Sequence, residues 1–155
     1  MMEKIRGFEI ISSYENKDIH LPERKTAASA AYDLEAAEDT DIPVFSLGQK
    51  PILVKTGLKS YFPKDEVLIL ANRSSNPMKH GLVLANSIGV IDSDYYNNAD
   101  NEGHLLIAFY NFSNETVHIQ KGDRIAQAMF MPFLVTDNDT ASGIRTGGFG
   151  STGKV

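Results

Sequence analysis

KPILVKTGLKSYF, residues 50–62, sets Ile52, Val54, Thr56 and Leu58 on one face of an extended chain. Side chains alternate across a β-strand with a period of two, so this spacing predicts a strand with one face against a core. EVLILA (66–71) and HLLIAFYNF (104–112) are short apolar runs rich in strand formers, and ETVHI (115–119) and RIAQAMFMPFL (124–134) extend the pattern. Turn residues separate them: FPKDE at 62–66, NFSNET at 111–116 and QKGDR at 120–124, the last two predicted to mark off a hairpin. Many short strands joined by regular turns imply a β-sandwich or a barrel.

Only SSNPMKHGL (74–82) departs from that period. A Ser or Asn caps it, Pro77 sits in the first turn and Gly81 stops it, which predicts a helix of one to two turns. The segment leading in, NRSS, puts Arg73, Ser74 and Ser75 at the helix N-terminus, where unpaired N–H groups and the helix dipole attract an anion. A capped surface helix beside a solvated arginine accounts for the same residues. NNADNEG (97–103) is predicted to be a loop, and no internal repeat is present.

The 155 residues predict one domain, long enough to bury about 70% of the surface its unfolded form would expose. A hydrophobic fraction of 42% and a charged fraction of 23% are those of an ordinary globular protein. With no cysteine, disulfides, thiolate catalysis and cysteine-ligated zinc are excluded, and a reducing compartment fits. The start, MMEKIRGFEI, carries charges where a signal peptide needs an apolar region, and no run approaches the roughly 18 apolar residues of a membrane span. A cytoplasmic protein without membrane contact is expected. The net charge of −5 argues against nucleic acid as a partner, whereas a small anion is compatible because local charge governs a pocket. His20, His80, His104 and His118 lie far apart without metal-site spacing and read as core or surface residues.

Two stretches carry chemistry. In RTGGFGSTGKV (145–155), Gly148, Gly150 and Gly153 spell G-x-G-x-x-G, and with Lys154 they approach a phosphate-loop pattern. Both motifs require a strand before and a helix after, and no β-α-β unit surrounds this one, so neither reading holds. A plain tail, however, needs neither Arg145 nor Phe149. In NSIGVIDSDYY (86–96), the apolar segment Ile88 to Ile91 delivers Asp92, Asp94 and Tyr95 together. DSD can be a simple turn; equally, a carboxylate at a strand end in a partly dry cleft can act as a general base.

The ordered set AAYDLEAA (30–37), NRSS with HGL (72–82), NSIGVIDSDY (86–95), GDRIAQ (122–127) and RTGGFGSTG (145–153) resembles the five motifs of the homotrimeric dUTPases. Each motif alone is weak, but five in order with compatible spacings through nearly the whole chain are specific. The resemblance implies an all-β, jelly-roll-like barrel with one short helix at residues 1–143 and a flexible arm at 144–155. It implies a homotrimer with shared sites, hydrolysing dUTP to dUMP and pyrophosphate. By the same resemblance Asp92 is the general base. Arg73, Ser74, Ser75, Gln127, Arg145, Gly150, Ser151 and Thr152 meet phosphates. Asn86 and backbone groups at Val90, Ile91, Asp92 and Leu106, in a hairpin of 86–107, read uracil. Tyr95 lies against the deoxyribose and Phe149 stacks on the base. Mg2+ bridges the phosphates, with Asp33 touching it through water. One departure stands out: YNNADNEGH (96–104) lengthens that hairpin, opening a polar loop that could serve as a lid, as a surface for a protein partner, or as decoration. A dCTP deaminase is the enzymatic alternative, but it needs a glutamate in the slot after GVI, where Asp92 stands. A non-catalytic jelly-roll module has no use for the base.

Overall fold

The alternating stretch 50–62 breaks at Thr56–Gly57, and that break distributes the chain between sheets. A computed structural model describes residues 2–150. Among them the chain is mostly β: β1 Gly7–Ile10, β2 Tyr32–Glu35, β3 Thr40–Ile42, β4 Ile52–Lys55, β5 Leu58–Tyr61, β6 Glu66–Asn72, β7 Leu82–Leu84, β8 Gly89–Ile91, β9 Leu106–Asn111, β10 Val117–Ile119 and β11 Arg124–Pro132. The one helix longer than a single turn of 3-10 type spans Asn76–His80. The pairings form four sheets, ordered β1-β5, β3-β10, β2-β11-β6-β8 and β4-β9-β7.

Gly57 adopts φ +70, a conformation natural to glycine, and turns β4 out of its sheet into β5 of another. The expected inward set is real, since Val54, Thr56 and Leu58 are buried and Ile52 packs on them, but it spans two strands. Thr56 tolerates burial because its hydroxyl donates to the Leu105 carbonyl at 2.7 Å. Around it Leu34, Ile42, Leu68, Leu82, Ile107 and Phe109 form the centre of the core. Full burial of each such side chain is worth about 1.5–3 kcal/mol.

Four expectations need correction. The predicted hairpin at 111–124 does not form: β10 pairs with β3. Asn111 redirects the chain, its Nδ2 donating to the carbonyls of Ile42 and Glu115 while its Oδ1 accepts from Ser113 N–H. The hairpin of 86–107 is absent too, because β8 pairs with β6 and β9 with β4 and β7. The last strand stops at Pro132, which has no N–H to continue a ladder, so Phe133 and Leu134 lie beyond it. Finally, the helix is a five-residue turn of π type, and Ser75 makes no side-chain cap. Asn76 does the anchoring instead, donating to Asn72 Oδ1 and to the Ile125 carbonyl. Pro77 in its first turn and Gly81 at its stop are as expected, Gly81 at φ +66.

Candidate active site

Two groups of side chains stand out, both built on the four-stranded sheet. In the first, β2 and β11 pair Asp33 directly with Gln127. Leu34, Ala126 and Ala128 point into the core, so alternation turns Asp33 and Gln127 together to the opposite face. β6 ends beside them at Asn72, whose carbonyl accepts from Gln127 Nε2 at 2.9 Å. Arg73 follows, its Nη1 donating to the Arg124 carbonyl at 2.8 Å. Asp33 then lies between two guanidinium groups, 3.7 Å from Arg73 Nε and 3.5 Å from Arg124 Nη1. Asp33, Arg73 and Gln127 line an open depression of about 470 Å³ together with Ser74, Ser75 and Lys25. A cavity of that size lined by hydroxyls and fixed cations suits an anionic group such as a phosphate.

The second group begins at a tight turn. Ser87 N–H donates to the Leu84 carbonyl and Ile88 N–H to the Asn86 carbonyl, with Ser87 at φ +64. β8 then runs against β6 so closely that a Cβ on Gly89 would stand 2.9 Å from the Leu70 Cβ. Asp92 follows, and Ser93–Tyr95 form a single 3-10 turn. Tyr95 is buried, its hydroxyl donating to the His104 carbonyl and accepting from Asn101 Nδ2, both at 2.8 Å. Burial raises its pKa, so the phenol stays protonated.

Arg145 closes over this turn. Its Nη2 donates to Asp92 Oδ2 and its Nε to Asp94 Oδ1, each at 2.8 Å, and its guanidinium lies 5.8 Å from the Tyr95 ring centroid. The arginine side chain is only 8% exposed, while both carboxylates keep 56% of their surface. The hydrogen bond that Arg145 donates to Asp94 leads in raising the Arg145 pKa further. Asp92, expected in a partly dry cleft, is therefore open to solvent on the single chain and covered chiefly by Arg145.

The loop after Tyr95 is ordered from beneath. Lys59, buried on β5, donates to Asn97 Oδ1 at 2.7 Å and to Glu102 Oε1 at 2.8 Å, and Glu102 also accepts from the N–H and hydroxyl of Ser12. The bond from Lys59, then those from Ser12, hold the Glu102 carboxyl down at a pKa of about 2. His104 closes the loop, its Nε2 accepting from Gly57 N–H at 2.9 Å. Burial foremost, and then Lys55, push its pKa down to about 4, so the ring is neutral at pH 7.

The remaining candidates lie as follows. Asn86 and Val90 are exposed at the turn and on β8, and Ile91 pairs with Leu68. Leu106 opens β9 opposite Lys55, in a different sheet from β8. Phe149 is 66% exposed, and Gly150 adopts φ +76. Ser151 and Thr152 lie outside the described residues. Among the described residues no three carboxylate or histidine side chains converge on a point. The donor set thus fits a magnesium ion that brings phosphate and water ligands and touches the protein through a carboxylate, and does not fit a protein cage. Lys25, Lys59 and Asp100 escaped sequence reasoning. Lys25 sits in irregular chain without periodicity, Lys59 faced away from the core in the alternation, and Asp100 was one polar residue in a polar patch.

The dUTPase family model matches residues 17–153. The deoxyuridine 5'-triphosphate nucleotidohydrolase of Lactococcus lactis is 55% identical over 152 residues, 97% of this chain and 99% of that protein. The namesake from Tolumonas auensis is 36% identical over 94% of this chain and 95% of its own length. Among solved structures, the dUTPase of Streptococcus mutans superposes with a TM-score of 0.79 at 49% identity, covering 85% of this chain and 99% of that one. A phage phi11 dUTPase mutant, described with a structural Mg(II) ion, shares the fold at 22% identity and a TM-score of 0.69, over 89% of this chain and 97% of that one.

Proposed function

This chain belongs to the dUTPase family and hydrolyses dUTP to dUMP and pyrophosphate, and from that premise we propose which of its residues perform the reaction. Asp92 is the general base. It takes a proton from a water molecule, whose oxygen attacks the α-phosphorus in line as the bond to the β-phosphate oxygen breaks and pyrophosphate leaves. The observation that supports this most directly is the meeting of Asp92, from the end of β8, with Arg145, from the C-terminal arm, at 2.8 Å. A carboxylate from mid-sequence and a residue 53 positions later have converged on one point.

Arg73, Ser74, Ser75 and Gln127 bind the phosphates in the depression beside Asp33, and Lys25 joins them. Arg145, which rests on Asp92 and Asp94 in the free chain, exchanges those carboxylates for outer-phosphate oxygens and leaves Asp92 free to accept a proton. Gly150, Ser151 and Thr152 complete the phosphate contacts. The turn at Asn86 and the backbone of Val90, Ile91, Asp92 and Leu106 read uracil. Cytosine brings a donor where uracil has an acceptor, which leaves buried groups unpaired, and such a mismatch can cost about 10⁴ in specificity. The closeness of that backbone excludes the thymine methyl group. Tyr95 backs the deoxyribose and leaves no room for a 2'-hydroxyl, while Phe149 stacks on the base.

Asp33 would hold Mg2+ through water, since its oxygens already lie near Arg73 and Arg124. When bound, the ion acts as Lewis acid and template for the triphosphate. The two groups of candidate residues come from different chains of a homotrimer, and the arm at 144–155 closes each site. Among the described residues no helix is long and apolar enough to cross a membrane, and the enzyme works in the cytoplasm. Phosphorus NMR with Mg2+ and each dNTP in turn is the test. Pyrophosphate from dUTP alone is expected; ammonia from dCTP, or turnover of none, sinks the reading.

A further inference from the structure

We infer that the lengthened 96–104 segment is the arm's docking platform, with Asp100 as the residue that positions the arm over the site. The inference rests on the reading that the arm closes the site. Gly148 N–H donates to Asp100 Oδ2 at 2.7 Å, a charge-assisted bond joining the loop to the arm 48 residues later. Gly147 and Gly148 are buried there although the preceding linker, 136–144, is exposed. A Cβ on Gly148 would lie 3.0 Å from both Asn98 Oδ1 and Asn101 Oδ1, so the two asparagines form the floor and would have to give by a few tenths of an ångström to admit a side chain.

That floor is stiff. Asn98 Oδ1 accepts from the N–H groups of Asp100 and Asn101, and Asn98 Nδ2 donates to the Tyr95 carbonyl and to Asn101 Oδ1. Asn101 Oδ1 also accepts from Gly103 N–H, and its Nδ2 reaches the Tyr95 hydroxyl. Asn97 and Glu102 are held at φ +57 and φ +61, an uncommon region for such residues, which the Lys59 and Ser12 contacts secure. The network ends on Tyr95, beside Asp92, so the platform is rigidly tied to the turn that carries the base. Arg145 and Gly148 thereby give the arm two anchors, one on the base and one on the loop. The ordering cost of an arm, about 1–2 kcal/mol per residue, is partly met before nucleotide arrives.

The test compares Asp100→Ala with Asp100→Asn, whose amide oxygen can still accept from Gly148. Trypsin cleavage after Arg145 reports the free arm, and kcat/KM for dUTP reports closure. Asp100→Ala is expected to speed cleavage and lower kcat/KM about tenfold each, the loss of one hydrogen bond to a charged group, while Asp100→Asn stays near wild type. In a chain ending at Gly143, Asp100→Ala should leave the affinity for an uncleavable dUTP analogue and the melting temperature unchanged. Unaltered cleavage in Asp100→Ala, or an equal loss of analogue affinity in the shortened chain, overturns the inference. Wild-type protein run in parallel separates the two ideas: failure to turn over dUTP sinks the catalytic reading, whereas arm release by Asp100→Ala is read from proteolysis alone.

Discussion

Asp92 keeps more than half of its side chain in solvent, so on the isolated chain its neighbours are defined by hydrogen bonds more than by burial. Replacing it with asparagine retains size and loses the proton acceptor. Asp92→Asn should bind an uncleavable dUTP analogue within a few-fold of wild type by calorimetry, while pyrophosphate release falls by about 10²–10⁴. His104 makes a different prediction. A histidine in the unfolded chain takes its proton near pH 6.5, and the buried ring takes it only near 4. Between those values the unfolded state binds more protons, so stability is full above about 6.5 and drains as pH falls toward 4, by at most about 3 kcal/mol. Urea midpoints at pH 7, 5.5 and 4.5 should trace that loss, and His104→Asn should flatten it. Neither His104 nor Lys59 could be assigned from the sequence, because what fixes each is a partner more than 40 residues away. The place of Asp92 at the end of an apolar strand, by contrast, was legible from the run Ile88 to Ile91, while its role as base came from the family resemblance.

At the scale of elements, the strands with long apolar or alternating runs were readable, the short β1, β2, β3 and β7 were not, and neither was strand pairing. Alternation identifies a strand but says nothing of its neighbour, so β8 and β10 were expected in hairpins and instead found partners in β6 and β3. Local turn chemistry misled here because Asn111, a fully buried side chain, steers the chain by bonds to Ile42 and Glu115. The glycine tail was legible as something more than a loose end, since Arg145 and Phe149 are out of place in one, but its docking surface was not. The arm contributes little to the core: residues 136–144 are exposed, and its burial is confined to Arg145, Gly147 and Gly148. A chain ending after Gly143 should therefore melt within a few degrees of the full chain yet lose dUTP turnover. Circular dichroism and a pyrophosphate assay on the same sample check both halves of that statement.

At the scale of the whole molecule, the proposed mechanism calls on other copies of the chain. Arg73, Ser74, Ser75 and Gln127 gather around Asp33 and Arg145 gathers Asp92 and Asp94, and the proposed reaction needs both groups on one nucleotide. Met131, at the end of β11, and Phe133 and Val135 beyond it remain substantially exposed, more apolar surface than a lone domain gains from leaving in water. Light scattering should give a mass of three chains, and that mass should persist at dilutions where activity persists. Composition could bound the domain but not the assembly, because apolar residues at an interface look like core residues in a sequence.

Strand pairing across the length of the chain also bears on how the protein is made. β2 and β3 lie within the first 42 residues, and their partners β11 and β10 lie between 117 and 132. On a ribosome these early strands emerge long before anything exists to pair with them, with their edges bare and prone to sticking. Closure of the sheets waits for nearly the entire polypeptide, so productive folding is a post-synthetic event on the slow, millisecond-to-second side expected of non-local β topologies.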